Sequence, residues 1–509
     1  MSAMDDRAVV LGAGLEGLAA AATLATNGRQ VTLVDGAQRA GGVAAAVELA
    51  AGYRVPGLLH ETALVRRRLL APLQLEDGAL AGGGLAWREE EAELAVPRAD
   101  GELLRIGRDS LAGGPDSGAH GEWRAFIDRL GPLVTELLDA PPPEPTEPGV
   151  RDLWQLGLQA LRLRGLGQRD MMELLRVATL PAWDWLEERF VDPALRAGLV
   201  APILGGTVVG PRAAGTTALL LLREATRGGE PVGGLAALAE ALEARCDALG
   251  VEQRLGVKAA SLLVEGTTAP RISGVELADG TRLEAPLVLS TLDPAMTGLD
   301  LLPGGLLPRS LEDELASWRT RGSSAVWVLA LGSDIGLPGG ASRAISASAP
   351  EELERAADAL KYGELPESTW LDVRDWSREA GCAPAGGRSW SVHLHGVPRE
   401  LRAGWDEGAR AELRGRALAA LERLAPGASE AIVAERLLTP ADLEAELGLR
   451  GGHLHGGELA LDQLWLQRPA LGLSRYRTPV EGLWLGGAGN HPGGPFHGGA
   501  GVLAARAAR

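Results

Sequence analysis

The first 35 residues contain the pattern that most restricts how this chain can fold. Apolar residues at 7–11 predict a strand, an Ala- and Leu-rich stretch at 18–26 predicts a helix, and residues 30–34 predict a second strand. Gly28 is the predicted stop of the helix. Two strands joined by one helix form a βαβ unit, which predicts a layered α/β domain built on a parallel sheet.

The turn that enters this helix has the spacing G-x-G-x-x-G, from Gly12 to Gly17. Gly12 permits a tight turn, Gly14 lets the backbone approach a pyrophosphate, and Gly17 permits close packing of helix and strand. Unpaired N–H groups at the start of the helix favour the anion. Asp35 follows Gly12 by 23 positions, so its carboxylate is predicted to accept hydrogen bonds from an adenosine ribose and to repel a 2′-phosphate. The pattern therefore predicts a dinucleotide site and leaves NAD and FAD open.

Two further glycine-rich segments favour FAD. Gly41-Gly42 follows Asp35 by six positions, and residues 482–494 read as a strand entering a glycine-rich turn before a helix. With these segments the chain resembles the phytoene desaturase family of FAD-dependent oxidoreductases, and in particular the subfamily related to pyridine nucleotide-disulfide oxidoreductase domain-containing protein 2 and the carotene ketolases. The resemblance covers nearly the whole chain through the segments 190–197, 210–211, 437–444, 451–456 and 461–465.

The resemblance implies FAD as cofactor and places its site on both ends of the chain. Asn490, Pro495 and the segment 43–45 depart from the residues that are common in the family, which puts substrate choice in question. The predicted cofactor-binding residues are Gly12, Gly14, Leu15, Glu16, Gly17, Asp35, Arg39, Gly41, Gly42, Ala259, Gly487, Ala488, Gly489 and Asn490.

The C-terminal helix and two histidines complete the predicted site. The N-terminus of the helix that begins near Gly498 is expected to point at the flavin, where its dipole would stabilise the reduced, anionic form. The alternative is a glycine turn that only packs against the first helix. His491 is the predicted catalytic residue, moving a proton or orienting substrate, with bracing of the turn as its alternative role. His497 is a second candidate for the same work.

We expect one domain assembled from separated segments and a second lobe inserted into it. The fold class is a doubly wound, Rossmann-like α/β FAD-binding domain of the GR2 type with an inserted α+β substrate-binding lobe. A hairpin is predicted around Asp279-Gly280, between runs at 272–277 and 283–289. The FAD-binding domain is assigned to residues 1–60, 230–300 and 472–509, and the substrate-binding lobe to residues 61–229 and 301–471.

Charge and composition exclude several classes of partner. The net charge of −17 argues against nucleic-acid binding, which needs a basic surface. Two cysteines are too few for a disulfide framework, and no convincing third ligand accompanies the pairs His393/His395 and His453/His455, so we predict no metal site. We expect a cytoplasmic protein, with peripheral membrane contact as a route for substrate.

The resemblance implies an FAD-dependent dehydrogenase or desaturase that transfers hydride from a hydrophobic, isoprenoid- or carotenoid-like substrate to flavin N5. Oxygen, a quinone or another protein would be the electron acceptor. Saturation, isomerisation or ketolation of a polyene at the same flavin is the alternative chemistry. A flavin-binding regulatory protein without turnover is the alternative of a different class.

Overall fold

The computed structural model describes residues 6–144 and 149–508, and it has a mixed α/β fold with a Rossmann-like domain. Residues 145–148, in the proline-rich segment 140–148, lie outside the described part. The fold class predicted from the sequence is confirmed.

The strands are short and come from the whole length of the chain. In chain order they are β1 (Arg7–Leu11), β2 (Gln30–Asp35), β3 (Val47–Ala50), β4 (Tyr53–Val55), β5 (Trp87–Arg88), β6 (Leu94–Pro97), β7 (Leu103–Ile106), β8 (Leu111–Ala112), β9 (Glu230–Pro231), β10 (Glu252–Leu255), β11 (Ala259–Glu265), β12 (Arg271–Leu277), β13 (Arg282–Glu284), β14 (Leu287–Ser290), β15 (Ser324–Leu331), β16 (Arg343–Ile345), β17 (Leu371–Asp375), β18 (Arg388–His395), β19 (Ile432–Leu438) and β20 (Leu483–Leu485).

The helices cluster in the middle of the chain, with one at each end. In chain order they are α1 (Leu15–Thr26), α2 (Arg67–Leu70), α3 (Ser117–Asp139), α4 (Val150–Gly165), α5 (Gly167–Val177), α6 (Ala182–Glu187), α7 (Pro193–Leu204), α8 (Thr216–Thr226), α9 (Gly234–Ala248), α10 (Arg309–Ala316), α11 (Pro350–Lys361), α12 (Glu407–Leu424), α13 (Ala428–Ala431), α14 (Pro440–Leu447) and α15 (Gly499–Ala507).

A parallel sheet of five strands, in the order β10-β2-β1-β14-β20, forms the centre of the Rossmann-like domain. Its inner strands β1 and β14 are nearly continuous apolar runs because both faces are covered. Val10, Leu33 and Leu289 pack against α1, α9 and α15. On the opposite face, Val9 and Val288 pack against the antiparallel sheet β11-β12-β13. The domain is therefore a three-layer structure.

The hairpin at Asp279-Gly280 forms with a shorter second strand than predicted. β12 pairs antiparallel with β13, which ends at Glu284. The remaining apolar residues of the predicted run form β14, which joins the parallel sheet beside β1. Pro286 lies between β13 and β14, and a proline cannot donate the hydrogen bond that would extend the ladder.

A mixed sheet of eight strands, in the order β19-β15-β18-β17-β16-β6-β7-β8, forms the second lobe. Helices α3, α6, α7 and α8 pack on one part of it, and α12 covers the opposite face of β15, β17 and β18. Val326 and Val328 of β15 point into the core of the Rossmann-like domain. This contact places the second lobe over the carboxyl edge of the parallel sheet. Among the described residues, no helix has both the length and the apolar character needed to cross a bilayer.

Candidate functional site

A cleft lies at the carboxyl ends of β1, β2 and β14, where a parallel sheet of this topology binds ligands. Ten of the predicted cofactor-binding residues line it together, although they come from both ends of the chain. They are Gly12, Gly14, Leu15, Glu16, Gly17, Asp35, Gly41, Gly42, Ala488 and Gly489.

The first glycine turn is shaped by packing at two positions and left open at a third. Gly12 has φ of +95°, a conformation that side chains other than glycine rarely adopt. A Cβ atom at Gly17 would lie 1.7 Å from the carbonyl oxygen of Gly12. At Gly14 a Cβ atom would meet no described atom within 4 Å. The protein itself thus requires glycine at positions 12 and 17 but not at position 14.

Asp35 is held at the edge of the cleft by two backbone amides. Its Oδ2 accepts a hydrogen bond from the N–H of Ala13 at 2.6 Å, and its Oδ1 accepts one from the N–H of Ala37 at 2.7 Å. A carboxylate has about four acceptor positions, so each oxygen retains capacity for a ligand hydroxyl. The sequence predicted that this carboxylate would accept hydrogen bonds from a ribose, but it gave no sign of the hydrogen bonds from the two backbone amides.

Gly41 and Gly42 lie against the first turn. The N–H of Gly41 donates to the carbonyl of Ala13 at 2.8 Å, and Gly41 forms a bridge with Gly14. Both glycines have positive φ, +103° and +55°. A Cβ atom at Gly42 would be 3.4 Å from the Cα atom of Gly14, at the open part of the cleft. The two segments therefore form one continuous backbone wall.

Glu16 occupies the N-terminus of α15, which was expected to point at the flavin. Its carboxylate accepts hydrogen bonds from the N–H groups of Gly498 and Gly501, both at 2.7 Å. The helices α1 and α15 cross closely here, since a Cβ atom at Gly501 would lie 2.0 Å from the carbonyl oxygen of Glu16. Burial raises the pKa of Glu16 to about 7 against the effect of these amides. The structure thus differs from the prediction, because an internal carboxylate takes the free amides of the helix.

The C-terminal turn reaches the cleft through Ala488 and Gly489. Gly487 packs on β14 instead, since a Cβ atom there would lie 2.3 Å from the carbonyl oxygen of Thr291. Asn490 is buried and its Oδ1 accepts from the N–H of Gly487 at 3.2 Å. Gly487 and Asn490 therefore lie behind the cleft wall and shape the turn.

Three further predicted residues lie away from the cleft. Arg39 is exposed after β2, and Ala259 begins β11, where it pairs with Leu277. His491 is buried, and its Nε2 lies 3.1 Å from the carbonyl oxygens of both Leu137 and Ala140. Burial lowers the pKa of His491 to about 3. This environment fits the bracing role that was the alternative for His491.

The opposite wall of the cleft comes from the second lobe, at residues 447–456. His453 lines this wall, and its Nδ1 accepts from the N–H groups of His455 and Gly457 at 3.1 and 3.2 Å. The ring of His453 also interacts with the backbone of Gly206. His497 lines the cleft as well, and its ring interacts with the backbone of Glu61. Segment 451–456 was one of the segments that carried the family resemblance, but the sequence did not predict that it lines the cleft.

Next to the cleft is a small cavity with apolar walls and a charged end. Its apolar residues include Leu64, Ile203 and Phe496, and its polar residues are Glu61, Arg223 and His455. All eight histidines of the chain are buried. Burial lowers the pKa of His453, His455 and His497 to about 4, 3 and 4, so these imidazoles are neutral at pH 7.

The comparisons with known proteins agree with this geometry. A family model described as an NAD(P)-binding Rossmann-like domain matches residues 10–63. The chain is 28% identical to pyridine nucleotide-disulfide oxidoreductase domain-containing protein 2 of Mus musculus, over 98% of this chain and 92% of the relative. It is also 28% identical to the hydroxyneurosporene desaturase of Cereibacter sphaeroides, over 96% of this chain and 94% of that protein. The predicted resemblance to these oxidoreductases is confirmed.

Two solved structures share the fold over nearly their full length. An oxidoreductase from Methanosarcina mazei superposes with a TM-score of 0.59 at 15% identity, covering 98% of this chain and 99% of that one. Putrescine oxidase superposes with a TM-score of 0.58 at 19% identity, covering 99% and 98%. These similarities support the architecture of a Rossmann-like domain with a second lobe.

Proposed function

We propose that this protein is an FAD-dependent oxidoreductase whose cofactor lies along the cleft described above. The contrast between Gly14 and Gly17 carries the proposal. Glycine at position 17 is explained by packing, whereas glycine at position 14 faces open space at the N-terminus of α1. That position is where a diphosphate approaches the helix dipole, so the space fits a ligand. Asp35, beside the same turn, supplies acceptors for a ribose.

Bound FAD would supply the acceptor for a hydride. The protein itself would hold the cofactor against the glycine-rich turns, and the second lobe's wall of the cleft would exclude water from the site. The neutral imidazoles of His453 and His497 line the cleft, so they are positioned to exchange a hydrogen bond or a proton with a ligand there. A neutral imidazole can fill this role without a charged side chain in the cleft.

The substrate of this proposal is a hydrophobic molecule of isoprenoid or carotenoid type, which loses a hydride from a C–H bond. Two observations support this class. Leu64, Ile203, Leu219, Leu222 and Phe496 form apolar walls beside the cleft, around a cavity of about 30 Å³ that would have to widen to admit such a molecule. Relatives over nearly the full chain are named hydroxyneurosporene desaturase and phytoene desaturase. The reaction would create a double bond in the substrate, with the hydride passing to bound FAD and a proton leaving the adjacent carbon.

Peripheral contact with a membrane is part of the same proposal, as a route for an apolar substrate. Helices α4 and α5 expose large apolar side chains that the core does not cover, including Leu153, Trp154, Leu161, Met172 and Leu175. The net charge of −17 supports the absence of a nucleic-acid partner.

The test is the variant Gly14→Ala, compared with Gly121→Ala. Gly14 has φ of −71°, which alanine adopts without strain, so the apoprotein should keep its melting temperature. The added methyl group would occupy the space of the diphosphate, so we expect purified Gly14→Ala to lack the flavin absorption of the wild type. Gly121 lies exposed in α3 with equally open space, and alanine there should leave flavin content unchanged. Full flavin occupancy in Gly14→Ala would refute the assignment of the cleft.

A further inference from the structure

Arg468 is a cation inside the protein without a carboxylate partner. Its side chain is fully buried, and it forms no ion pair with any residue at positions 6–144 or 149–508. Its guanidinium donates to backbone carbonyls at 2.9–3.4 Å, those of Gly457, Glu458, Gln463 and Ala488. Burial lowers the pKa of Arg468 to about 9, so the side chain still carries its charge at pH 7. A buried charge of this kind is costly, and its position therefore calls for an explanation.

Arg468 lies directly behind the wall of the cleft. Its Nη2 donates to the carbonyl of Ala488, which lines the cleft, at 2.9 Å. On the same turn, a Cβ atom at Gly493 would lie 1.8 Å from Nε of Arg468, so glycine at 493 makes room for the guanidinium. The indole ring of Trp318 supports the guanidinium from the other side, with 5.3 Å between Cζ and the ring centroid.

The hydrogen bond to Ala488 also orients a peptide of the cleft. The carbonyl of Ala488 accepts from Arg468 and from the N–H of Gly494, both at 2.9 Å. In a trans peptide the following N–H, that of Gly489, points in the opposite direction. That N–H has no partner among the described residues, and Gly489 lines the cleft. Arg468 thus fixes the orientation of the peptide between Ala488 and Gly489 at the cleft wall and adds its own positive charge behind it.

Nearby carboxylates do not cancel this charge. Glu458 pairs with Arg319 and Arg321, at 3.4 and 2.6 Å. Asp293 lies 3.8 Å from Arg450. Burial raises the pKa of Asp293. These carboxylates therefore pair with other arginines, and none of them forms an ion pair with Arg468 among the described residues.

We infer that Arg468 is a positioning residue that makes the cleft favour the electron-rich, reduced form of the bound flavin. The inference rests on the proposed function. Two-electron reduction places negative charge on the flavin, and a fixed cation with an aligned peptide dipole in a water-poor site stabilises that charge without reorganisation. Arg468 would thereby strengthen the flavin as a hydride acceptor, beyond its part in joining the backbone segments.

The experiment compares the midpoint potential of the bound flavin in the wild type, Arg468→Met, Arg468→Lys and Trp318→Phe. We expect Arg468→Met to shift the potential to more negative values by at least a tenfold change in the equilibrium constant, about 30 mV for two electrons. Arg468→Lys retains a positive charge, so its midpoint potential should stay close to that of the wild type. Trp318→Phe alters packing in the same cluster without changing charge and should match the wild type.

An effect of Arg468→Met on flavin reduction can be separated from a simple loss of flavin binding. If Arg468→Met is purified without flavin, the apoprotein is titrated with oxidised and with reduced FAD. The ratio of the two dissociation constants then reports how strongly the protein favours the reduced flavin over the oxidised flavin. A wild-type ratio or potential in Arg468→Met, or an equal shift in Met and Lys variants, would overturn the inference. A wild-type protein that binds no flavin would refute the proposed function itself.

Discussion

Loss of Glu61 should destabilise the second lobe, because its carboxylate joins two buried arginines. Its Oε2 accepts from Nε of Arg223 at 2.9 Å, and its Oε1 accepts from Nη2 of Arg343 at 2.7 Å. All three side chains are at most 8% exposed. In Glu61→Gln the amide NH₂ would point at one of the guanidinium groups, so one donor faces another. Arg223 keeps Glu91 and Glu224 as partners and Arg343 keeps Asp372, but the cluster loses one of its buried carboxylates.

The magnitude follows from the pKa of Glu61. Burial alone would raise this pKa, but Arg223 and Arg343 outweigh burial and hold it at about 2, against an ordinary value of 4.5. At 1.36 kcal/mol per pH unit, this difference corresponds to about 3 kcal/mol of folding stability at pH 7. Because the pKa is lowered by folding, the contribution is complete above pH 4.5 and is lost as the pH falls toward 2.

The assay is denaturant unfolding of Glu61→Gln at pH 7 and at pH 3.5, read as the shift of the midpoint at constant slope. We expect a loss of about 3 kcal/mol at pH 7 and a smaller loss at pH 3.5. Glu240→Gln is the matched control, since Glu240 pairs with Arg54 at the surface and is 61% exposed. That variant should change stability by less than about 1 kcal/mol. Equal effects of the two variants, or a loss at pH 7 no larger than at pH 3.5, would refute the reasoning.

Two further variants test the cleft. His491→Ala should lower the melting temperature, because two partly buried carbonyls lose a donor at a cost of about 1–3 kcal/mol. The pH profile of flavin reduction should stay that of the wild type, and a changed profile would show that His491 takes part in the chemistry. Asp35→Ala should weaken FAD binding by about 1.5–3 kcal/mol in a titration of the apoprotein, and an unchanged dissociation constant would show that the carboxylate serves only the amides of Ala13 and Ala37.

Local sequence was sufficient for the elements that depend on neighbouring residues. β1 has the predicted bounds, β2 extends one residue further, and α1 begins within the predicted turn. Turn geometry at Gly12 and packing at Gly17 involve atoms only a few positions apart, so a spacing pattern can specify them. The same reasoning predicted Asp35 at the cleft.

Contacts between distant positions were decided by the tertiary structure. Glu16 accepts from Gly498 across 482 positions, and this contact takes the helix N-terminus that was expected to meet the flavin. His491 contacts carbonyls 351 and 354 positions away. Arg468 fits beside the turn only because position 493 is glycine. The sequence by itself determined the glycine turns, the strand–helix order and the acidic residue of the cofactor cleft, because these follow from local backbone geometry. Which carboxylates, cations and imidazoles surround the cleft depended on how the two lobes pack, since burial and pairing set their charge and their direction.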